Sequence, residues 1–229
     1  LTEFCSRSTK SKGCEVLSSE IYSLRRRIAE YVSNKFHEDR VNELGPDLTC
    51  LEWLMECGST EVVMSDSERI SSIRQMKRYI RDRIEEKVCL ISMQFSFFYC
   101  SLVPTHQVIF CFMVDASDSA IADEGFKYFR DLRHLEVLKL NFCDYFGDDA
   151  IRELALGRPA TTLLDIEIVL NPALTDAAVY WLSRLKALRR AHFYFLPYVA
   201  NRPSFLRQLK LALPSAWNPF ILDLILFGF

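Results

Sequence analysis

Residues 135–146 read LEVLKLNFCDYF, an L-x-x-L-x-L-x-x-C-x-x-F pattern carried by Leu135, Leu138, Leu140 and Cys143. Residues 163–174, LLDIEIVLNPAL, repeat it with Leu163, Ile166, Ile168, Asn171 and Leu174. A weaker copy places Leu188, Ala191, Phe193 and Leu196, and a degenerate earlier one places Cys111, Val114, Ala116, Ser119 and Ile121. Equivalent positions fall at 114, 138, 166 and 191, so the periods are 24, 28 and 25 residues. No other feature constrains the chain as much. Each unit is too short to bury its own apolar face and must stack on its neighbours.

This is a leucine-rich-repeat signature of the cysteine type. Each unit is predicted to lay down a short strand whose alternate residues enter a shared core. Cys or Asn then closes the strand facing inward, where Asn satisfies backbone groups that no ladder reaches. Asp123, Asp148, Asp149, Thr175 and Asp176 follow the strands and suit helix N-caps. The helices behind them carry Phe126, Phe129 and Leu132, then Ile151, Leu154 and Leu156, then Val179, Leu182 and Leu185. The predicted fold class is α/β: a short solenoid of about four repeats over residues 113–215, preceded by a small helical domain.

That helical domain is assigned to residues 17–87. A helix is predicted over 17–43, with Ile21, Leu24, Ile28, Tyr31, Val32 and Phe36 on one face. Gly45-Pro46 breaks it, Asp47 or Thr49 is expected to cap a second helix over 48–57, and Gly58 stops that one. A third, polar helix is predicted over 67–87. Residues 1–16 read as the remnant of a transit peptide or a disordered terminus, since 1–14 hold Arg7, Lys10, Lys12 and several Ser against one acid, Glu3.

Two blocks stand apart. Residues 88–113 contain no Asp, Glu, Lys or Arg, and the tail 216–229 carries Asp223 as its one charge. By length the first qualifies as a membrane span. Ser92, Gln94, Ser96, Ser101, Pro104, Thr105, His106 and Gln107 weaken that reading. Segments 88–112 and 216–229 are read as an atypical apolar insertion and tail of translated intron or read-through sequence. Continuous transcript coverage of both would overturn this. If genuine, residues 88–103 lie on or dip into a membrane. The blocks inflate the 50% apolar content, while a charged fraction of 25% excludes a disordered chain and a multi-span membrane protein.

Catalytic signals are absent. The histidines at 37, 106, 134 and 192 are isolated, the eight cysteines form no CxxC pair, and seven glycines are too few for glycine-rich phosphate-loop architectures. A chain of this size is not expected to need a disulfide framework, which points to a reducing compartment. Asp115, Asp118, Asp123 and Glu124 cluster in sequence without EF-hand spacing. No catalytic residue is assigned, and the chain is read as a non-enzyme. A net charge of −2 gives no reason to expect nucleic acid. Trp53, Trp181 and Trp217 are expected to be core or groove anchors. The partner surface is placed on the outward strand residues Glu136, Val137, Lys139 and Asn141, then Asp165, Glu167 and Val169, then Arg190, His192 and Tyr194.

Residues 41–58 (VNELGPDLTCLEWLMECG), 114–121 (VDASDSAI) and 209–215 (LKLALPS) carry a family likeness. Over roughly 28–87 and 113–215 the chain resembles the mitochondrial ATP synthase coupling factor B (subunit s) family. It is also similar to that family's relative, the distal membrane-arm assembly component of complex I. The resemblance implies a helical domain packed on cysteine-type repeats. It further implies a peripheral protein on the matrix side of the mitochondrial inner membrane. Its partner would be ATP synthase, in proton-driven ATP synthesis, or a complex I assembly intermediate. The family's magnesium site maps by resemblance to Gly45, while its second ligand, a Thr, has no counterpart here. The alternative is a leucine-rich-repeat substrate adaptor of a ubiquitin ligase, although residues 17–58 do not read as an F-box.

Overall fold

The computed structural model of the chain describes residues 32–94 and 109–213. Its elements run α1 (Glu38–Leu44), α2 (Pro46–Glu56), β1 (Glu61–Met64), β2 (Arg69–Ile70), α3 (Ile73–Gln94), β3 (Cys111–Asp115), a 3-10 helix (Asp123–Phe129), β4 (Val137–Lys139), α4 (Asp148–Leu156), α5 (Pro159–Thr162), β5 (Asp165–Val169), α6 (Ala178–Leu182), β6 (Arg190–Tyr194) and α7 (Arg202–Ala212). The predicted mixed α/β class holds.

One six-stranded sheet orders the strands β2-β1-β3-β4-β5-β6. β3 to β6 are parallel, and helices cross over between them, as parallel strands require. Their register pairs Val114 with Leu138, Leu138 with Ile166, and Ile166 with Ala191. These are the four positions that the sequence repeat makes equivalent. Inward rows follow: Val114, Leu138 and Ile166 are fully buried, as are Ala116, Leu140 and Ile168 two residues on. Cys111, Ser119, Leu135, Cys143, Leu163, Asn171, Leu188, Phe193 and Leu196 are buried with them.

The residue before each inward closing residue has a left-handed backbone: Asp118 (φ 57°), Phe142 (59°), Leu170 (56°) and Phe195 (52°). Non-glycine residues pay strain there. They accept it because the turn brings Ser119, Cys143, Asn171 and Leu196 back into the core. Asn171 shows the return: Nδ2 donates to the carbonyls of Cys143 (2.8 Å) and Phe146 (3.0 Å), and Oδ1 accepts from the N–H groups of Ala173 and Leu174 (2.8 Å each).

The acids after the strands do something other than cap their own helices. α4 has no side-chain cap of its own. Asp123 Oδ1 instead accepts from Gly147 N–H (2.8 Å) and from Ala150 N–H (3.1 Å) in α4, one repeat later. Asp148 accepts from the N–H and hydroxyl of Thr175, and Asp176 from the N–H groups of Ala200 and Asn201. Each of these acids bonds the start of the next repeat, and Asp123 caps α4 through Ala150 N–H, which couples neighbours electrostatically as well as by packing.

Upstream, several boundaries shift. Residues 35–37 are not helical, so the part of the 17–43 helix that the structure describes is broken; residues 17–31 lie outside the described residues. The break centres on buried Asn34, whose Nδ2 donates to Ala120 O and whose Oδ1 accepts from Ala122 N–H. These bonds compete with a helix. α2 starts at Pro46, and neither Asp47 nor Thr49 caps it. Thr49 Oγ1 donates to Gly45 O, and Asp47 Oδ1 accepts from Cys111 N–H (2.9 Å), tying α2 to β3. Gly58 is left-handed (φ 86°), as a helix stop should be. The stretch predicted as helix from 67 begins with strand β2, which pairs with β1, and only then enters α3. Cys111, inside the block set aside as an insertion, is a fully buried member of the sheet. Leu156, expected in the core, is 53% exposed because α4 ends there.

The buried residues from Leu44 to Leu213 form one core. Trp53 joins α2 to the 3-10 helix, stacking on Tyr128 (5.3 Å) and meeting Phe129 edge-on (5.4 Å). Trp181 is half-buried, and Trp217 lies outside the described residues.

Burial holds the Asp47 carboxyl above the usual carboxylate range, outweighing the Cys111 N–H bond that favours its charged form. The folded chain therefore takes up this proton at higher pH than the unfolded chain. The contribution is complete below the unfolded value and is lost as pH rises through the folded one. Asp47→Asn is expected to remove that dependence. Urea midpoints from neutrality down to about pH 4 should show wild type gaining stability relative to the variant as pH falls.

Candidate interaction face

The outward rows of the sheet are set by the same register that buries the inward ones. Met113, Val137, Asp165 and Arg190 form one row across β3–β6; Asp115, Lys139, Glu167 and His192 form the next. Beyond them lie Asn141, Val169 and Tyr194. Each residue assigned to the partner surface is exposed or half-buried: Glu136, Lys139, Asn141, Asp165, Glu167, Arg190, His192 and Tyr194. Two pairs are formed within the face. Arg190 meets Asp165 at 2.7 Å, and Asn141 Nδ2 donates to Glu167 Oε1 at 3.0 Å. The exposed ion pair is worth less than about 1 kcal/mol. Asn141 Oδ1 is buried with no hydrogen-bond partner among the described residues.

Alternation along the strands missed the most apolar part of this face. Phe142 is 54% and Leu170 38% exposed, and Phe195 is half-buried. Phe142 N–H donates to Val169 O and Leu170 N–H to Tyr194 O, both at 2.9 Å or less, so these residues sit in adjacent rows. They are the left-handed positions of the second, third and fourth repeats. With Val169 and Tyr194 they make an aromatic and aliphatic ridge along the strand ends. Asp118 occupies the same position in the first repeat. A signal was present: in each copy a non-glycine residue directly precedes the inward Ser, Cys, Asn or Leu. Reading it required knowing that the backbone turns left-handed there.

The remaining candidates are quieter. Cys50, Cys57, Cys111 and Cys143 are buried free thiols. Burial pushes their pKa values up, that of Cys57 to about 12, which keeps them poor nucleophiles. A cavity of about 80 Å³ beside α1 and α2, lined by residues including His37, Arg40, Glu52 and Tyr128, has room for little beyond water.

Gly45 offers its carbonyl to two donors already, Thr49 N–H at 3.2 Å and Thr49 Oγ1 at 2.8 Å. Both lone-pair directions are taken, so these residues do not fit a magnesium ion as arranged. Among the described residues no group of three or more His, Cys, Asp or Glu side chains could hold a metal. The acidic sequence cluster disperses: Asp115 accepts from Ser117 N–H, Asp123 bonds the next repeat, and Glu124 pairs with Lys127.

Repeated strand–helix units behind a broad, open sheet face define a chain that offers surface rather than a cleft. No family model matches it. The chain is similar to the human mitochondrial ATP synthase subunit s, at 28% identity over 185 residues covering 80% of each chain. It resembles the Pongo abelii protein of that name equally, and the Rattus norvegicus one at 25% over the same span. The family resemblance read from residues 41–58, 114–121 and 209–215 is borne out.

Proposed function

We propose that this chain is a mitochondrial accessory subunit of ATP synthase, without catalytic chemistry of its own. It is a short cysteine-type leucine-rich-repeat solenoid, closed at one end by α1, α2, α3 and the β1–β2 pair that joins its sheet. It acts at the matrix side of the inner membrane and grips the complex through its strand face and the Phe142–Leu170–Phe195 ridge. The observation that carries this reading is likeness to ATP synthase subunit s along four fifths of both chains. The names of these relatives favour ATP synthase over complex I assembly and over a ubiquitin-ligase adaptor.

Tagged chain recovered from mitochondria should bring ATP synthase subunits with it. Recovery of complex I intermediates alone, or of neither, would sink the proposal. Phe142→Gly with Leu170→Gly separates binding from folding. Glycine removes left-handed strain, so the double variant should be unchanged to about 1 kcal/mol more stable. Loss of two exposed apolar anchors should lower co-purification about tenfold. Full recovery of the complex by this variant would move the interface elsewhere.

A further inference from the structure

α3 turns one face to the core and another away from it. Met76, Tyr79 and Ile80 are buried. Ile73, Arg74, Lys77, Arg78, Arg81 and Ile84 fall within about 140° of the helix circumference on the other side, and all six are exposed. Among the described residues no side chain pairs with Arg74, Lys77 or Arg78. Arg81 lies 3.6 Å from Asp82 and 4.0 Å from Glu85.

This face works against the helix that carries it. Arg74 and Arg78, and likewise Lys77 and Arg81, are like charges four residues apart, which repel. The first turn of α3 holds no acid, and cations near it oppose the positive end of the helix dipole. Ile73 is 48% and Ile84 40% exposed, and a β-branched side chain in water does little for a helix. A merely solvated face would be better served by Glu at 74 and 77. Chains break such local rules where a contact made elsewhere offsets the loss. Guanidinium forks take carboxylates bidentately, and an apolar side chain at each end of the cationic row adds area. Asp82, Glu85 and Glu86 follow on the next turns. Cations and acids so interleaved fit the fixed charge pattern of a protein, not a uniformly anionic bilayer.

We infer that the outer face of α3, through Arg74, Lys77, Arg78 and Arg81 between Ile73 and Ile84, docks on an acidic protein surface. It is a second contact, apart from the strand face, and it rests on the ATP synthase reading for the identity of the partner. Tagged chain in mitochondria is treated with a water-soluble carbodiimide, which joins a lysine amine to a carboxylate in contact with it as an amide. The recovered chain should carry Lys77 linked to an Asp or Glu of an ATP synthase subunit. Lys77→Arg keeps the charge and removes the amine, so recovery of the complex should persist and the link vanish.

Arg74→Glu with Lys77→Glu separates binding from folding. It turns both repelling pairs into attractive ones, Glu before Arg at four residues, and places acids near the start of α3. The thermal midpoint should rise by about 3 °C, while recovery of ATP synthase falls about tenfold. Arg207→Glu with Lys210→Glu, exposed on α7, should change recovery by less than about threefold. A lowered midpoint in the α3 variant would overturn the inference, because these cations would then serve the fold. Recovery of ATP synthase without a Lys77 link, or undiminished by the α3 reversal, would overturn it and leave the ATP synthase reading standing. Failure of the unaltered chain to recover ATP synthase would end both.

Discussion

Replacing Asn171 with Ala should remove about 4 kcal/mol of stability, a large part of what a chain of this size has. The side chain is fully buried and uses all four of its hydrogen-bonding positions on backbone groups: two carbonyls, Cys143 and Phe146, and two N–H groups, Ala173 and Leu174. Alanine leaves these without partners where water has no access, and each orphaned group costs about 1–3 kcal/mol. The loss is not confined to one turn. The two carbonyls belong to the preceding repeat, so the bonds hold neighbouring units in register. Asn171→Asp should fare no better at neutral pH, because a carboxylate would face two carbonyl oxygens. Urea denaturation followed by circular dichroism measures both. A loss under about 1 kcal/mol for Asn171→Ala would mean that water replaces the amide.

Gly125→Ala should cost about 3 kcal/mol through overpacking. A Cβ at Gly125 would lie 2.3 and 2.5 Å from ring atoms of Trp53 and 2.7 Å from Asn34 Oδ1. Neither neighbour can move away. Trp53 is wedged against Tyr128, Phe126 and Phe129, and Asn34 Oδ1 accepts from Trp53 Nε1 and Ala122 N–H. The glycine is required by close approach rather than by a left-handed backbone. Trp53→Phe removes the clashing ring atoms, so in that background Gly125→Ala should cost about 1 kcal/mol. Additive costs in the double variant would place the strain elsewhere. This contact is also how the N-terminal helices are keyed to the first repeat.

Buried position, cross-repeat bonding and ridge all trace to one local event, the left-handed turn at the end of each strand. It sends Cys143 or Asn171 inward and turns Phe142 or Leu170 outward. Phe142→Gly with Leu170→Gly therefore tests the face without removing the core residue beside it.

The repeat period, the inward alternation of Leu138, Leu140, Ile166 and Ile168, and the closing role of Cys143 and Asn171 were legible from residue type alone. A strand side chain has two faces to choose from, and apolarity decides between them. The family resemblance was legible from three short stretches. Other features depended on what tertiary structure places side by side. Asp123, Asp148 and Asp176 look like local caps in sequence, yet each bonds the next repeat, because stacking brings the neighbour's N–H groups closer than its own. Asn34 breaks a helix that its periodicity favours, since its backbone partners Ala120 and Ala122 are 86 and 88 residues away. β2 and β1 join a sheet in a region that reads as helical, because an edge of β3 was open to pair. Short-range pattern settled which side chains are buried; long-range contact settled which groups meet.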